Sequence, residues 1–281
     1  MLCRTVNRLF SVPPLNRIAP TPAVDDRTDM LGFLNRSLAS GTGFLDDFAP
    51  LNEIEGRRVL DVGCGLGGKT VAMAASGAAE VVGVDTDPEK IHWARTLAAD
   101  AGVWNASFTV QSVSLLGFPE GHFDLVLLTD VIEHLDDPLG ALLECARVLR
   151  PEGTALVGFP PYFSPWGAHL FTHIRVPWAH VVFPEREILE VWRAHHEDKL
   201  ARGETYCSEK RARCIMNAET VAELWDLNRM TIAEFLRLVW ETPFRARLLR
   251  LKTPGGLGSI LTRSSFLREY VVTRLVAVLE K

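Results

Sequence analysis

Short apolar runs alternate with helical periodicities through the middle of this chain, and that alternation predicts its architecture. Val59-Leu60-Asp61-Val62 and Val81-Val82-Gly83-Val84 are too short for helices and rich in β-branched residues, the mark of strands buried on both faces. Strand 1 is expected from Arg58 to Val62, a helix from Lys69 to Ser76, and strand 2 from Glu80 to Asp85. A second helix should run from Pro88 to Ala101, with Asp87 as its N-cap and Pro88 in its first turn. Ser107 to Val110 reads as strand 3 and Phe123 to Thr129 as strand 4. Leu139 to Leu149 reads as a helix stopped by Arg150-Pro151, and Thr154 to Phe159 as strand 5. Such alternation predicts an α/β fold with a parallel, doubly wound sheet and a ligand site at the carboxyl ends of its strands.

The pattern changes on either side. Between Asp29 and Phe48, Leu31, Phe33, Leu34 and Leu38 recur at helical spacing before Gly41 and Gly43 interrupt, so one or two helices should precede strand 1. After strand 5, about 70 residues separate it from Thr231, which should cap a helix reaching Trp240, and a mere connection needs far fewer. Trp166, Trp178, Trp192 and Trp225 fall in this stretch, which reads as a helical, aromatic lid inserted between strands 5 and 6. Glu185 to Asp198 and Ile232 to Trp240 carry core-facing periodicity. Phe244 to Lys252 and Val271 to Leu279 read as a final antiparallel strand pair, making the sheet seven-stranded and mixed. The expected divisions are residues 1–50 (arm and covering helices), 51–160 (core), 161–228 (lid) and 229–281 (last helix and strands).

Composition narrows the function. With 281 residues, 47% hydrophobic and 23% charged, the chain is an ordinary globular one. A net charge of −5 argues against a general nucleic-acid binder. Residues up to Pro184 carry 13 Lys/Arg against 21 Asp/Glu and the remainder 17 against 14, so the C-terminal third is mildly basic. That surplus reads as a solvated face, with an anionic substrate or membrane surface as the alternative. Five cysteines, at positions 3, 64, 145, 207 and 214, show no metal spacing and follow no signal region, which fits a reducing cytosol. No apolar stretch approaches the ~20 residues that span a bilayer. Met1 to Val24 holds Arg4, Arg8 and Arg17 with no acid, as a mitochondrial presequence does, although Pro13, Pro14, Pro20 and Pro22 fit an irregular arm.

The chemistry concentrates after strand 1. Gly63, Gly65 and Gly67 let backbone approach a ligand, and Asp85, 20 residues beyond Gly65, ends strand 2 where a carboxylate can accept ribose hydroxyls. NAD and S-adenosylmethionine both use this geometry. Four blocks in order separate them: Val59 to Gly67; Val84 to Pro88; Phe123-Asp124-Leu125-Val126 leading into Asp130 to Pro138; and Arg147 to Gly153. With them the chain resembles the class I S-adenosylmethionine-dependent methyltransferases, nearest the ubiquinone/menaquinone methyltransferase-like small-molecule group. The resemblance covers Leu51 to Phe159, with a thinner match from Asn228 to Lys281.

That resemblance implies a Rossmann-like core and assigns the cofactor's parts. Gly63, Cys64, Gly65 and Gly67 would hold its amino-acid head, with Asp61 near the ammonium group and Thr129 on the opposite wall. Asp85 would take the ribose and Thr86 would pack toward adenine. Where the family usually has an acid for the adenine amino group, this chain has Ser112, helped by the Val113 backbone. His134, after strand 4, is the first candidate general base. Asp130, Glu133 and His134 form a D-x-x-E-H cluster similar to the E-x-x-E-H that binds a divalent metal in ubiquinone-biosynthesis O-methyltransferases, so Mg²⁺ is a subsidiary candidate. In the lid, His169 and His173 would share a face if that segment is helical and could replace His134 as base. The prolines and aromatics from Pro160 to His169 suggest a bulky, partly apolar or aromatic small-molecule acceptor, methylated at oxygen. The alternatives are an NAD-dependent oxidoreductase and a methyltransferase-like binding subunit without catalysis.

Overall fold

The computed structural model describes residues 42–49, 53–172, 174–202, 215–254 and 256–281. In chain order they form β1 (Arg58–Val62), α1 (Gly68–Ala75), β2 (Glu80–Asp85), α2 (Pro88–Asp100), β3 (Ala106–Val110), β4 (Phe123–Thr129), α3 (Pro138–Val148) and β5 (Leu149–Phe159). There follow α4 (Ala179–Val182), α5 (Glu185–Ala201), α6 (Ile232–Trp240), β6 (Arg245–Lys252), α7 (Gly256–Leu261), α8 (Arg268–Val271) and β7 (Arg274–Glu280). Seven strands make one sheet in the order β3-β2-β1-β4-β5-β7-β6. The first five are parallel, and β7 runs antiparallel to both β5 and β6.

Burial explains why the central strands were legible. β1, β2, β4 and β7 are buried almost throughout and read as mainly apolar runs, broken by Asp61 in β1 and Asp124 in β4. The edges differ. β3 has only Phe108 buried, and β6 has no buried residue. Arg245, Arg247, Arg250 and Lys252 space β6 with charge, which discourages pairing with another sheet.

Two expectations are corrected. Strand 5 begins at Leu149, not Thr154, because Leu149 pairs with Phe123 before an irregularity in which Glu152 adopts a φ of 61°. A proline at 151 hid this continuation. The last strand starts at Arg274, since residues 268–271 coil into α8. The helices expected between Asp29 and Gly41 lie outside the described residues. Beyond them, Gly43–Phe48 form a 3₁₀ helix that buries Leu45 and Phe48.

The chain divides into two compact units. The described residues of the first, 42–159, 232–252 and 274–281, hold the sheet. Those of the second lie within 160–231 and 253–273, so the connection between β6 and β7 belongs with the insert rather than with the closing strands. This insert has its own core, in which Trp192 and Ile188 lie among Leu170, Ile174, Phe183, Val221 and Leu224.

Candidate active site

β1 leads into the turn Gly63 to Gly67, where all three glycines hold left-handed backbone, with φ of 65°, 55° and 81°. L side chains avoid that region. Their surroundings give them different tasks. A Cβ on Gly63 would strike the Val131 side chain, and one on Gly67 would lie 2.8 Å from both Ala94 and Phe108. On Gly65 it would meet nothing within 4 Å. Gly63 and Gly67 therefore let the protein close on itself, while Gly65 presents backbone to open space that a ligand can enter.

Asp85 stands beside that space. Its carboxylate accepts the Gly65 amide and the Asp87 amide, each at 3.0 Å, and lies 4.0 Å from the Lys90 ammonium. Two backbone donors fix its orientation and leave lone pairs for a vicinal diol. Asp87 then caps α2 through the Glu89 and Lys90 amides, as expected. Asp61 is 2% exposed and accepts the Thr70 hydroxyl at 2.6 Å. Burial pushes its carboxyl up to about 6, against the pull of Thr70 and Lys69. Asp61 thus braces β1 to α1, a role its motif did not reveal.

The other expected cofactor residues divide. Cys64 is half-buried, and burial with the Asp61 and Asp85 charges pushes its thiol far up, so it packs rather than reacts. Val113 is buried, whereas Thr86 and Ser112 are exposed. The Ser112 hydroxyl accepts the Ser114 amide at 3.2 Å and shapes a turn.

The carboxyl end of β4 carries a charge network. The Lys69 ammonium donates to Thr129 Oγ1 at 2.6 Å. Asp130 follows with a φ of 59°, a strained conformation held by Arg274, whose guanidinium nitrogens reach its two oxygens at 2.6 and 3.3 Å. Glu133 is 2% exposed, and burial with the Asp130 charge pushes it up to about 8. His134 ends the 3₁₀ turn Ile132–His134 and is half-buried. Of the D-x-x-E-H residues, Asp130 acts on Glu133 through its charge, but Arg274 and Lys69 (3.7 Å away) set two cations against Asp130, a poor setting for Mg²⁺. Lys69 and Arg274 escaped the sequence reading because no short motif links positions 61 and 144 residues from their partners.

Within the insert, His169 sits in a turn with a φ of 54°, its ring edge-on to Trp225 at 6.2 Å. The 3₁₀ helix begins only at Leu170, so His169 is not on a helical face with residue 173, which itself lies outside the described residues. His180 was passed over. Its ring stands edge-on to Tyr162 at 5.2 Å, and burial lowers its pKa to about 4, leaving it neutral.

A family profile described as a methyltransferase domain matches residues 60–157. The chain is 40% identical over 111 residues to a ubiquinone biosynthesis O-methyltransferase of Xanthomonas campestris pv. campestris, a match covering 39% of this chain and 46% of that protein. It therefore spans less than half the length of that curated relative. Among solved structures, an S-adenosylmethionine-dependent methyltransferase from Mesorhizobium loti aligns with 87% of this chain and all of its own, at 18% identity and a TM-score of 0.53. A geranyl diphosphate methyltransferase in complex with S-adenosylmethionine aligns with 92% of this chain and 93% of its own, at 16% identity and a TM-score of 0.53. At such identities these two structures establish the fold.

Proposed function

From a core that belongs to the class I S-adenosylmethionine-dependent methyltransferases, we propose that this chain is a cytosolic enzyme that methylates an oxygen of a bulky, partly apolar or aromatic small molecule. The observation that carries the reading is the pairing of Gly65, left-handed and open above its backbone, with Asp85 held beside it by the Gly65 amide. Peptide groups of residues 63–67 suit the amino-acid head, and the leftover lone pairs of Asp85 suit the ribose. Once bound, the cofactor supplies an electrophilic methyl group on a sulfonium. The chain's part is then to hold the acceptor in line, exclude water and take a proton from its hydroxyl. His134, half-buried directly after β4, is our assignment for that proton.

Oxygen is preferred as the acceptor atom because the curated relative is an O-methyltransferase. The aromatic and proline content of 160–169 supports an apolar acceptor. No helix of the described residues is long and apolar enough to cross a membrane.

Titration calorimetry with S-adenosylmethionine, S-adenosylhomocysteine and NAD tests the reading. Micromolar binding of both sulfur nucleosides without NAD is expected, and NAD binding in their place would refute it. His134→Ala should then slow turnover about 10²- to 10⁴-fold with cofactor affinity little changed. Activity retained in excess chelator would exclude the Mg²⁺ variant.

A further inference from the structure

Lys69 belongs to the charge network at the end of β4 and still has donors to spare. It occupies the second position of α1, two residues past Gly67, on the helix that opens from the glycine turn. Its ammonium is drawn back across the 5.7 Å approach to the Phe44 ring and donates to Thr129 Oγ1, a neutral hydroxyl, at 2.6 Å. A carboxylate oxygen of Asp130 is 3.7 Å away, beyond hydrogen-bond reach, and Asp130 is already paired with Arg274 at 2.6 Å. An ammonium has three donors, and only one is used here at short range. The side chain is 38% exposed, so it is neither buried as structure nor loose in solvent. Its charge also acts on both Asp61 and Glu133, which places it between the carboxyl ends of β1 and β4.

We propose that Lys69 recognises the carboxylate of the cofactor's amino-acid end, making this chain selective for sulfur nucleosides that carry that carboxylate. This inference rests on the function proposed above and adds to it a specificity residue. The Gly63–Gly67 turn and the Thr129 end of β4 bound the space for the amino-acid head, and Lys69 spans from one to the other. Thr129 Oγ1 holds the ammonium in position, and a ligand carboxylate can share the remaining donors in charge-assisted bonds. The neighbouring Asp61 and Asp130 would repel that carboxylate if Lys69 were absent, so the lysine also offsets an unfavourable field.

The test compares two probes that differ in the carboxylate. S-adenosylhomocysteine carries it; decarboxylated S-adenosylhomocysteine keeps the nucleoside, the thioether and an ammonium but lacks it. Binding of each is measured by calorimetry to the wild-type chain and to K69M and K69R. K69M should weaken S-adenosylhomocysteine binding about 10- to 100-fold and change binding of the decarboxylated nucleoside less than about threefold, with K69R restoring most of the loss. Equal losses for both probes, or no loss for S-adenosylhomocysteine, would overturn the assignment. Circular dichroism of K69M guards against simple unfolding, and K69R keeps the test standing if K69M is unstable. A wild-type chain that binds neither probe defeats the methyltransferase reading itself, a result distinct from equal losses of both in K69M.

Discussion

The sheet unit and the insert solve the problem of building a site in opposite ways. In the sheet unit, specificity is written into backbone: three left-handed glycines, a strand-end carboxylate taking two amides, and a strained Asp130 held by Arg274. Each demands a particular residue at a particular spacing. In the insert, a core around Trp192 is assembled from side-chain shape, and many apolar combinations fill such a volume. A site made from peptide groups leaves a motif in the sequence, whereas one made from packing leaves only a composition.

The comparison is broken most severely at Trp192. It is 1% exposed, so Trp192→Ala should cost about 3–5 kcal/mol of insert stability, read by denaturant unfolding, while cofactor affinity stays within about threefold. A collapse in affinity would show that the two units do not fold independently. Next comes Asp85→Ala, which deletes the acceptor of two backbone amides and of the proposed ribose contact. Cofactor affinity should fall about 100-fold with the far-ultraviolet circular dichroism retained, and wild-type affinity would sink the pocket assignment. Gly63→Ala should cost about 1–3 kcal/mol from a Cβ driven into Val131, and pairing it with Val131→Ala should recover part of that loss, leaving the φ strain.

The pH effects have opposite signs in the two units. Glu133 keeps its proton up to about 8 when folded, against an unfolded value of 4.5, so the sheet unit should lose stability as pH rises from about 4.5 through 8. Glu133→Gln should flatten that slope. His180 stays neutral down to about 4, below its unfolded 6.5, so the insert should lose stability as pH falls through that window. Hydrogen exchange resolved by unit, at pH 5 and pH 8, checks both directions; parallel slopes would refute the pair.

Legibility followed the same division. β4 was found to the residue because Leu125 to Leu128 is a short buried apolar run inside it, and Asp87 because an N-cap acid before proline is a local signal. Strand 5 was truncated because its first residues pair across an irregularity that only the Phe123 partner reveals. The helical condition attached to His169 could not be decided from spacing, which serves a helix or a turn alike, and its left-handed backbone is not encoded in histidine. Lys69, Arg274 and Asp130 assemble from three distant elements, and single charged residues carry no periodicity to betray them.

The order of strands at the sheet's closing edge has a consequence for biosynthesis. β7 lies between β5 and β6 yet is made after both, so β6 emerges from the ribosome with no neighbour to pair with. Through the whole of 253–273 it waits as a lone extended segment, the kind that recruits other nascent chains. Its four cations oppose that recruitment through their charge until β7 is made and pairs beside it.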